Sequence, residues 1–168
     1  MKRWLSALNI LAVLSGIIMA VALLYPWWSL QIQYVGLTYI YPYIIRGPAT
    51  TIIGYRKTAQ MPLLTGLVIG CIVLCFVGSL LRRWKGRIAL GAAGVLALLA
   101  AWRFYERAGD IARRWGMAVQ GHSIAKQAAF SPLEVSAKLE HGFYLILIGA
   151  ALSLVASVLH EKIRLRLG

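Results

Sequence analysis

Residues 61–87 read MPLLTGLVIGCIVLCFVGSLLRRWKGR. An uncharged run from Met61 to Leu81 is followed at once by Arg82, Arg83, Lys85 and Arg87. About 20 apolar residues at about 1.5 Å of helical rise match the roughly 30 Å hydrocarbon core of a bilayer. Pro62 falls in the first turn, where a missing N–H costs a helix nothing. This stretch therefore predicts a membrane-crossing helix closed by a basic turn.

Three further uncharged runs lie to either side: Leu5–Tyr25, Ile88–Trp102 and Phe143–Leu159. They predict spans at about 5–25, 61–81, 88–104 and 141–159, with long connections at 26–60 and 105–140. Composition agrees, since 60% of the 168 residues are apolar and only 14% charged, against about 25% charged in an ordinary soluble domain. Disorder is excluded too, because this much apolar material must be buried. The net charge of +13 would suit nucleic acid only if it formed a basic face. Here the basic residues punctuate apolar runs, so membrane lipids and no nucleic acid are the expected contacts.

Four spans return both termini to one side. Lys2, Arg3, the 82–87 turn and Lys162, Arg164 and Arg166 place nine basic residues in three short segments, +8 after Glu161. The nine other basic residues are spread over the two long connections and fall to +5 after Glu106, Asp110, Glu134 and Glu140. Basic density in short flanks marks the cytoplasmic side. The expected placement is a multi-pass protein of the cell membrane with cytoplasmic termini and both long connections outside. The first span resembles a secretory signal in having Lys2 and Arg3 before it and Ala20-x-Ala22 within it, but its apolar stretch is too long and continues to Tyr25, so it is expected to remain uncleaved.

Trp28, Leu30, Ile32 and Tyr34 alternate with Ser29, Gln31 and Gln33, the period-two signature of a half-buried strand. Leu37–Ile45 reads as a second strand bent at Pro42, and Thr50–Tyr55 as a third after the Gly47-Pro48 turn. Trp27, Trp28 and Tyr25 fall where an interfacial aromatic belt belongs. In the second connection, Phe104, Tyr105, Ala108, Ile111, Ala112 and Trp115 recur at helical spacing, so the third span should continue as an amphipathic helix to about Val119, before Gly121. Asp110 and Arg114 make an i,i+4 pair. Ser131-Pro132-Leu133-Glu134 has the form of a capping box, predicting one helix from Pro132 to about Leu165. The expected fold is an all-α membrane protein with a small β element: a four-transmembrane-helix bundle with an outer cap of a short antiparallel sheet and extensions of helices 3 and 4.

Trp28 after the first span, Gly36-Leu37 in the loop and the alternation around them resemble the claudin group of tetraspan proteins. That resemblance implies cytoplasmic termini, a β-rich first outer loop, an extended third span and self-association in the membrane plane. Thr38 follows Leu37 where the family carries Trp, and the first loop has no cysteine.

Residues that could carry chemistry are few. Cys71 and Cys75 lie at i,i+4 within a span, where buried Cys packs as a small hydrophobe. His122, His141 and His160 have no metal-ligand spacing. Glu106, Asp110 and His141 could cluster at the outer face, but ion pairs to Arg107, Arg113, Arg114 and Lys138 are the simpler use of the carboxylates. The spans hold no charge of the kind an ion-coupled transporter needs. No enzyme activity, cofactor or metal is expected.

Small residues at packing distance stand out instead: Gly16 with Ala20, Gly66 with Gly70, Gly91 with Gly94, and Gly149 with Ser153. In lipid such faces let helices associate closely. They point to a structural or self-associating role with a protein partner, either itself or a larger membrane complex. The alternative is a small transporter or channel whose basic outer surface, Arg103, Arg107, Arg113 and Arg114, forms a vestibule. Arg82, Arg83, Lys85 and Arg87 would fix topology and attract anionic lipid headgroups. The intact mass of the purified protein should include residues 1–22; a chain starting at Leu23 would remove the first span.

Overall fold

The computed structural model describes residues 8–48, 62–81, 83–114, 116–125 and 133–160. The described chain is mostly helical: α1 is Ile10–Leu24, α2 Pro62–Leu80, α3 Arg83–Arg114 and α4 His141–Val158. By length and composition α2, α3 and α4 are each able to cross a membrane, and the described part of α1 is a shorter apolar helix. Five strands accompany them: β1 Trp28–Ile32, β2 Gly36–Ile40, β3 Ile45–Arg46, β4 Gly121–Ala125 and β5 Leu133–Leu139. The chain divides into two compact units. One comprises Met1–Val21, Gly66–Ala101 and Leu145–Gly168; the other comprises Ala22–Thr65 and Trp102–Tyr144.

In the first unit the helices start and stop where local chemistry dictates. Asn9 is the N-cap of α1, its Oδ1 accepting the Ala12 N–H at 3.2 Å, which satisfies one donor the helix cannot pair internally. Pro62 opens α2, as its first-turn position predicts. The interior of this unit is mostly apolar but includes several polar side chains, and much of its exterior is apolar too. Asn9, Ser15, Ser79, Ser153 and His160 are buried, whereas Leu14, Ile17, Ile69, Val73, Val95 and Ile148 are exposed.

The second unit is built on one antiparallel sheet of order β3-β2-β1-β5-β4. β1 occupies the centre, pairing Trp28 with Ile40 and Ile32 with Gly36 on one side. On its other side Trp28 pairs with Leu139 and Ile32 with Val135. The alternation read from the sequence is realised in part: Trp28, Leu30 and Ile32 are buried together with Val135, but Ser29 is buried as well and Tyr34, in the turn, is exposed. A three-residue turn with Tyr34 at φ 63° leads into Gly36 at φ 112°, a geometry that glycine adopts without strain. The chain leaves β2 at Ile40, bends through Pro42 and returns as the short β3, as the proline predicts. The expected third strand at Thr50–Tyr55 lies outside the described residues.

Three expectations are corrected here. Helix α3 does run beyond its apolar part, but it stops at Arg114 rather than Val119. Gly116 is left-handed at φ 67°, and the Met117 N–H to Ala112 O and Gly116 N–H to Arg113 O bonds form a glycine C-cap. Residues 133–139 form a strand, not the start of a helix running to Leu165, so helix 4 has no outer extension and α4 begins at His141. Leu133, Val135, Ala137 and Leu139 alternate with Glu134, Ser136 and Lys138, and pairing with β1 overrides the capping-box signature. Finally, Trp27 and Trp28 are fully buried and do not form an interfacial belt.

Their indoles fix the unit's interior. Trp27 meets Phe104 edge-on at 5.0 Å between ring centroids, and Phe143 at 6.3 Å. Its Nε1–H donates to Ala22 O at 2.8 Å, and the Trp28 Nε1–H donates to Val119 O at 2.7 Å. Gly142 makes room for this arrangement, since a Cβ there would lie 2.5 Å from Trp27 Cδ1 and 2.6 Å from Tyr25 O. Glycine to alanine inside a helix ordinarily stabilises by up to about 1 kcal/mol. At Gly142 the sign should reverse, with Gly142→Ala costing about 1–3 kcal/mol as overpacking, measured as a lower unfolding temperature. An unchanged or higher value would contradict this packing.

Candidate functional site

Within the helical unit, buried polar side chains gather at two levels. At the first, Ser15 of α1 donates to Gly149 O of α4 at 2.7 Å, and Ser153 of α4 donates to Leu90 O of α3 at 2.9 Å. Cys75 of α2 lies between them, its Sγ 3.6 Å from Ser15 Oγ and 3.5 Å from Ser153 Oγ. Each serine has given its proton to a carbonyl, so both face Cys75 as acceptors and the single thiol proton serves one of them at a time. All four helices meet at this level. Cys75 therefore packs and bridges helices, and Cys71 is buried and unbonded to another sulfur.

The second level lies at the start of α1. Asn9 Nδ2 donates to Ala156 O at 3.3 Å and to His160 Nδ1 at 3.1 Å. With Nδ1 accepting, the imidazole proton sits on Nε2, which donates to Leu81 O at 3.0 Å, just past the end of α2. Gly86 of α3 packs directly on this ring. His160 is thus a buried group bonded at both ring nitrogens. Sequence reasoning passed over it because no partner stands near it in sequence: Asn9, its main contact and the chain's sole asparagine, is at the other end.

The small-residue pairs sort into two classes. A Cβ on Gly16 would meet Cys75 Cβ at 3.2 Å, one on Gly94 would meet Leu154 Cγ at 2.6 Å, and one on Gly149 would meet Met19 Cγ at 2.7 Å. Gly91 faces Ser157 Oγ at 3.3 Å, Ser153 bonds Leu90 O, and Ala20 is half-buried. These positions are used within the chain. Gly66 and Gly70 differ: a Cβ on either meets nothing within 4 Å among the described residues.

The basic surface of α3 is partly neutralised. Arg103 pairs with Glu106 at 2.9 Å and Arg113 with Asp110 at 2.6 Å, both at i,i+3 on α3 and both exposed. Asp110 thus pairs with Arg113 rather than Arg114, while Arg107 and Arg114 project as exposed residues of the same helix. Glu106, Asp110 and His141 do not assemble. Instead Glu140 accepts a 2.7 Å bond from Ser29 Oγ and stands 3.8 Å from His141 Nδ1. Of the 82–87 basic cluster Lys85 and Arg87 are exposed, whereas Arg82 and the Arg83 side chain lie outside the described residues. No group of three or more potential metal ligands occurs among the described residues.

These geometries bridge helices and present surfaces. Comparison with known proteins adds no family, since no family model matches the chain and no curated protein is significantly similar to it.

The Asn9 contacts carry a quantitative expectation. Asn9→Ala removes an N-cap and leaves His160 Nδ1 and Ala156 O without a donor, a combined cost of about 2–4 kcal/mol. Thermal unfolding in detergent should show it as a clear drop in midpoint; a midpoint equal to wild type would contradict the assigned bonds.

Proposed function

We propose that this chain is a non-enzymatic multi-pass membrane protein that assembles with protein partners in the membrane plane, as a self-associating tetraspan or as a structural subunit of a larger complex. The observation that carries this reading is the open Gly66–Gly70 face of α2. Of the four small-residue pairs in the sequence, the other three face neighbouring side chains or bonds within the chain, and this one meets nothing among the described residues. A GxxxG face lets a second helix approach backbone to backbone, which is how helices associate where lipid removes the hydrophobic drive.

Membrane insertion itself is supported by the apolar exterior of the helical unit. Exposed Ile69, Val73, Phe76 and Val77 on α2 suit acyl chains, and the buried serines, Asn9 and His160 are bonded between helices as lipid requires. In this reading all four helices cross as a bundle in the cell membrane. That strands from both long connections share one sheet supports a topology with both connections on one side of the bilayer and the termini on the other. The basic density of the 82–87 turn assigns that other side to the cytoplasm. The claudin resemblance is of this architectural kind.

Gly66→Ile with Gly70→Ile fills the open face without touching the interior. Crosslinking in native membranes should capture a partner or a second copy for wild type, and the double variant should weaken it at least tenfold, roughly 1.4 kcal/mol. Ile148→Val, on exposed α4 surface, should change nothing. A wild-type chain that is strictly monomeric and captures no partner, or a double variant that assembles as well as wild type, would overturn the proposal.

A further inference from the structure

At about 100° of rotation per residue, the start of α3 sorts into an inward and an outward face. Gly86 and Leu90 are buried, and a Cβ on Gly86 would collide with the His160 ring. Ser157 of α4 donates to Arg87 O at 2.7 Å, which ties the same turn to α4. With that rotation fixed, Trp84 and Ile88 point away from this interior, 62% and 57% exposed. Lys85 stands on one side of them and Arg87 on the other, both exposed. An aromatic ring is thus flanked by two cations. Side chains on a helix lean toward its N-terminus, so both cations reach back toward the level of Trp84.

We propose that this turn gathers anionic phospholipid in the leaflet it meets, with the Trp84 ring at the boundary of headgroup and acyl chain and Lys85 and Arg87 reaching the headgroups. The inference rests on the membrane reading above. Charge selects the lipid. Residues 82–88 carry Arg82, Arg83, Lys85 and Arg87 and no acid, a net +4, and the segment after His160 sets Lys162, Arg164 and Arg166 against Glu161. Among the described residues no carboxylate pairs with Lys85 or Arg87. The far end of the uncharged stretch Ile88–Trp102 supplies the contrast. Trp102 lies 18 residues beyond Trp84, five full helical turns, so it shares the Trp84 face, and it is 60% exposed. The two rings are about 27 Å apart along the axis, close to the roughly 30 Å of a hydrocarbon core, and amphipathic rings settle at both of its edges. Beyond Trp102 the charges cancel: residues 102–110 set Arg103 and Arg107 against Glu106 and Asp110. They cover about 12 Å, more than the roughly 5–8 Å of a headgroup layer. Only the Trp84 end should prefer an anionic lipid.

The test is bromine quenching of tryptophan fluorescence in the full chain, reconstituted in phosphatidylcholine vesicles with phosphatidylglycerol as the minor component. Bromine near the glycerol end of an acyl chain is carried either by the phosphatidylglycerol or by an equal amount of the phosphatidylcholine. Each ring's share is the difference between wild type and Trp84→Phe or Trp102→Phe, which leaves the buried Trp27 and Trp28 in place. Phosphatidylglycerol should prove enriched about fivefold at Trp84, the ~1 kcal/mol one basic residue contributes beside an anionic headgroup. Trp102 should be quenched equally by both lipids. Lys85→Gln with Arg87→Gln should bring Trp84 to parity and leave Trp102 unchanged, which also shows that the variant is folded and inserted. Parity at Trp84 in wild type, equal enrichment at Trp102, or an enrichment that survives the double variant would overturn the proposal. Failure of the membrane reading would look different: neither lipid would quench either ring, and alkaline carbonate would strip the wild-type chain from membranes.

Discussion

The pairing of β1 with β5 closes the chain. β1 follows α1 within about four residues and β5 precedes α4 by one. Their five-residue register, from Trp28↔Leu139 to Ile32↔Val135, therefore ties the end of the first helix to the start of the last. Everything between, including α2 and α3, must leave this sheet and come back to it. A helix pair that starts and ends on one sheet crosses a bilayer twice or not at all, which is why the sheet bears directly on topology. The buried Trp27 and Trp28 at this junction supply the apolar area that a five-stranded sheet needs on its inner face.

The helical unit answers a different constraint. Its interior combines buried apolar side chains such as Met19, Leu90 and Ile146 with bonds from serine, cysteine, asparagine and histidine to neighbouring helices, while many of its other large apolar side chains are exposed. In water this arrangement would expose Leu14, Ile17, Val73 and Val95 for no gain. In lipid it is the economical solution, because carbonyl-bonding side chains and close glycine contacts then supply the association energy. Among the described residues, the Gly66–Gly70 face of α2 is left open.

Much of the fold was legible in the sequence for physical reasons. Uncharged runs of bilayer length located the helices, period two located β1, Pro42 located the bend and Pro62 the start of α2. What the sequence misplaced depended on distant partners. The Ser131–Glu134 signature is local, and a strand paired with β1 outcompeted it although Leu133–Leu139 alternates as plainly as Trp28–Ile32. The helix stop moved from Gly121 to Gly116 because two glycines compete there and only the backbone decides which turns left-handed. The Asn9–His160 bond joins residues 151 positions apart, so neither residue announced it. Four small-residue pairs were readable, but which one stays open is a property of packing alone.

The account stands on helices that cross a bilayer twice between the two halves of one sheet. Single cysteines at Tyr34→Cys, Ile124→Cys and Lys85→Cys, in a Cys71→Ala, Cys75→Ser background, test this with a membrane-impermeant maleimide. Tyr34 is 89% and Ile124 55% exposed, so both sites are reachable on the folded protein. Positions 34 and 124 should label together on intact cells, and position 85 only after permeabilisation. Labelling of positions 34 and 85 from the same side would contradict it.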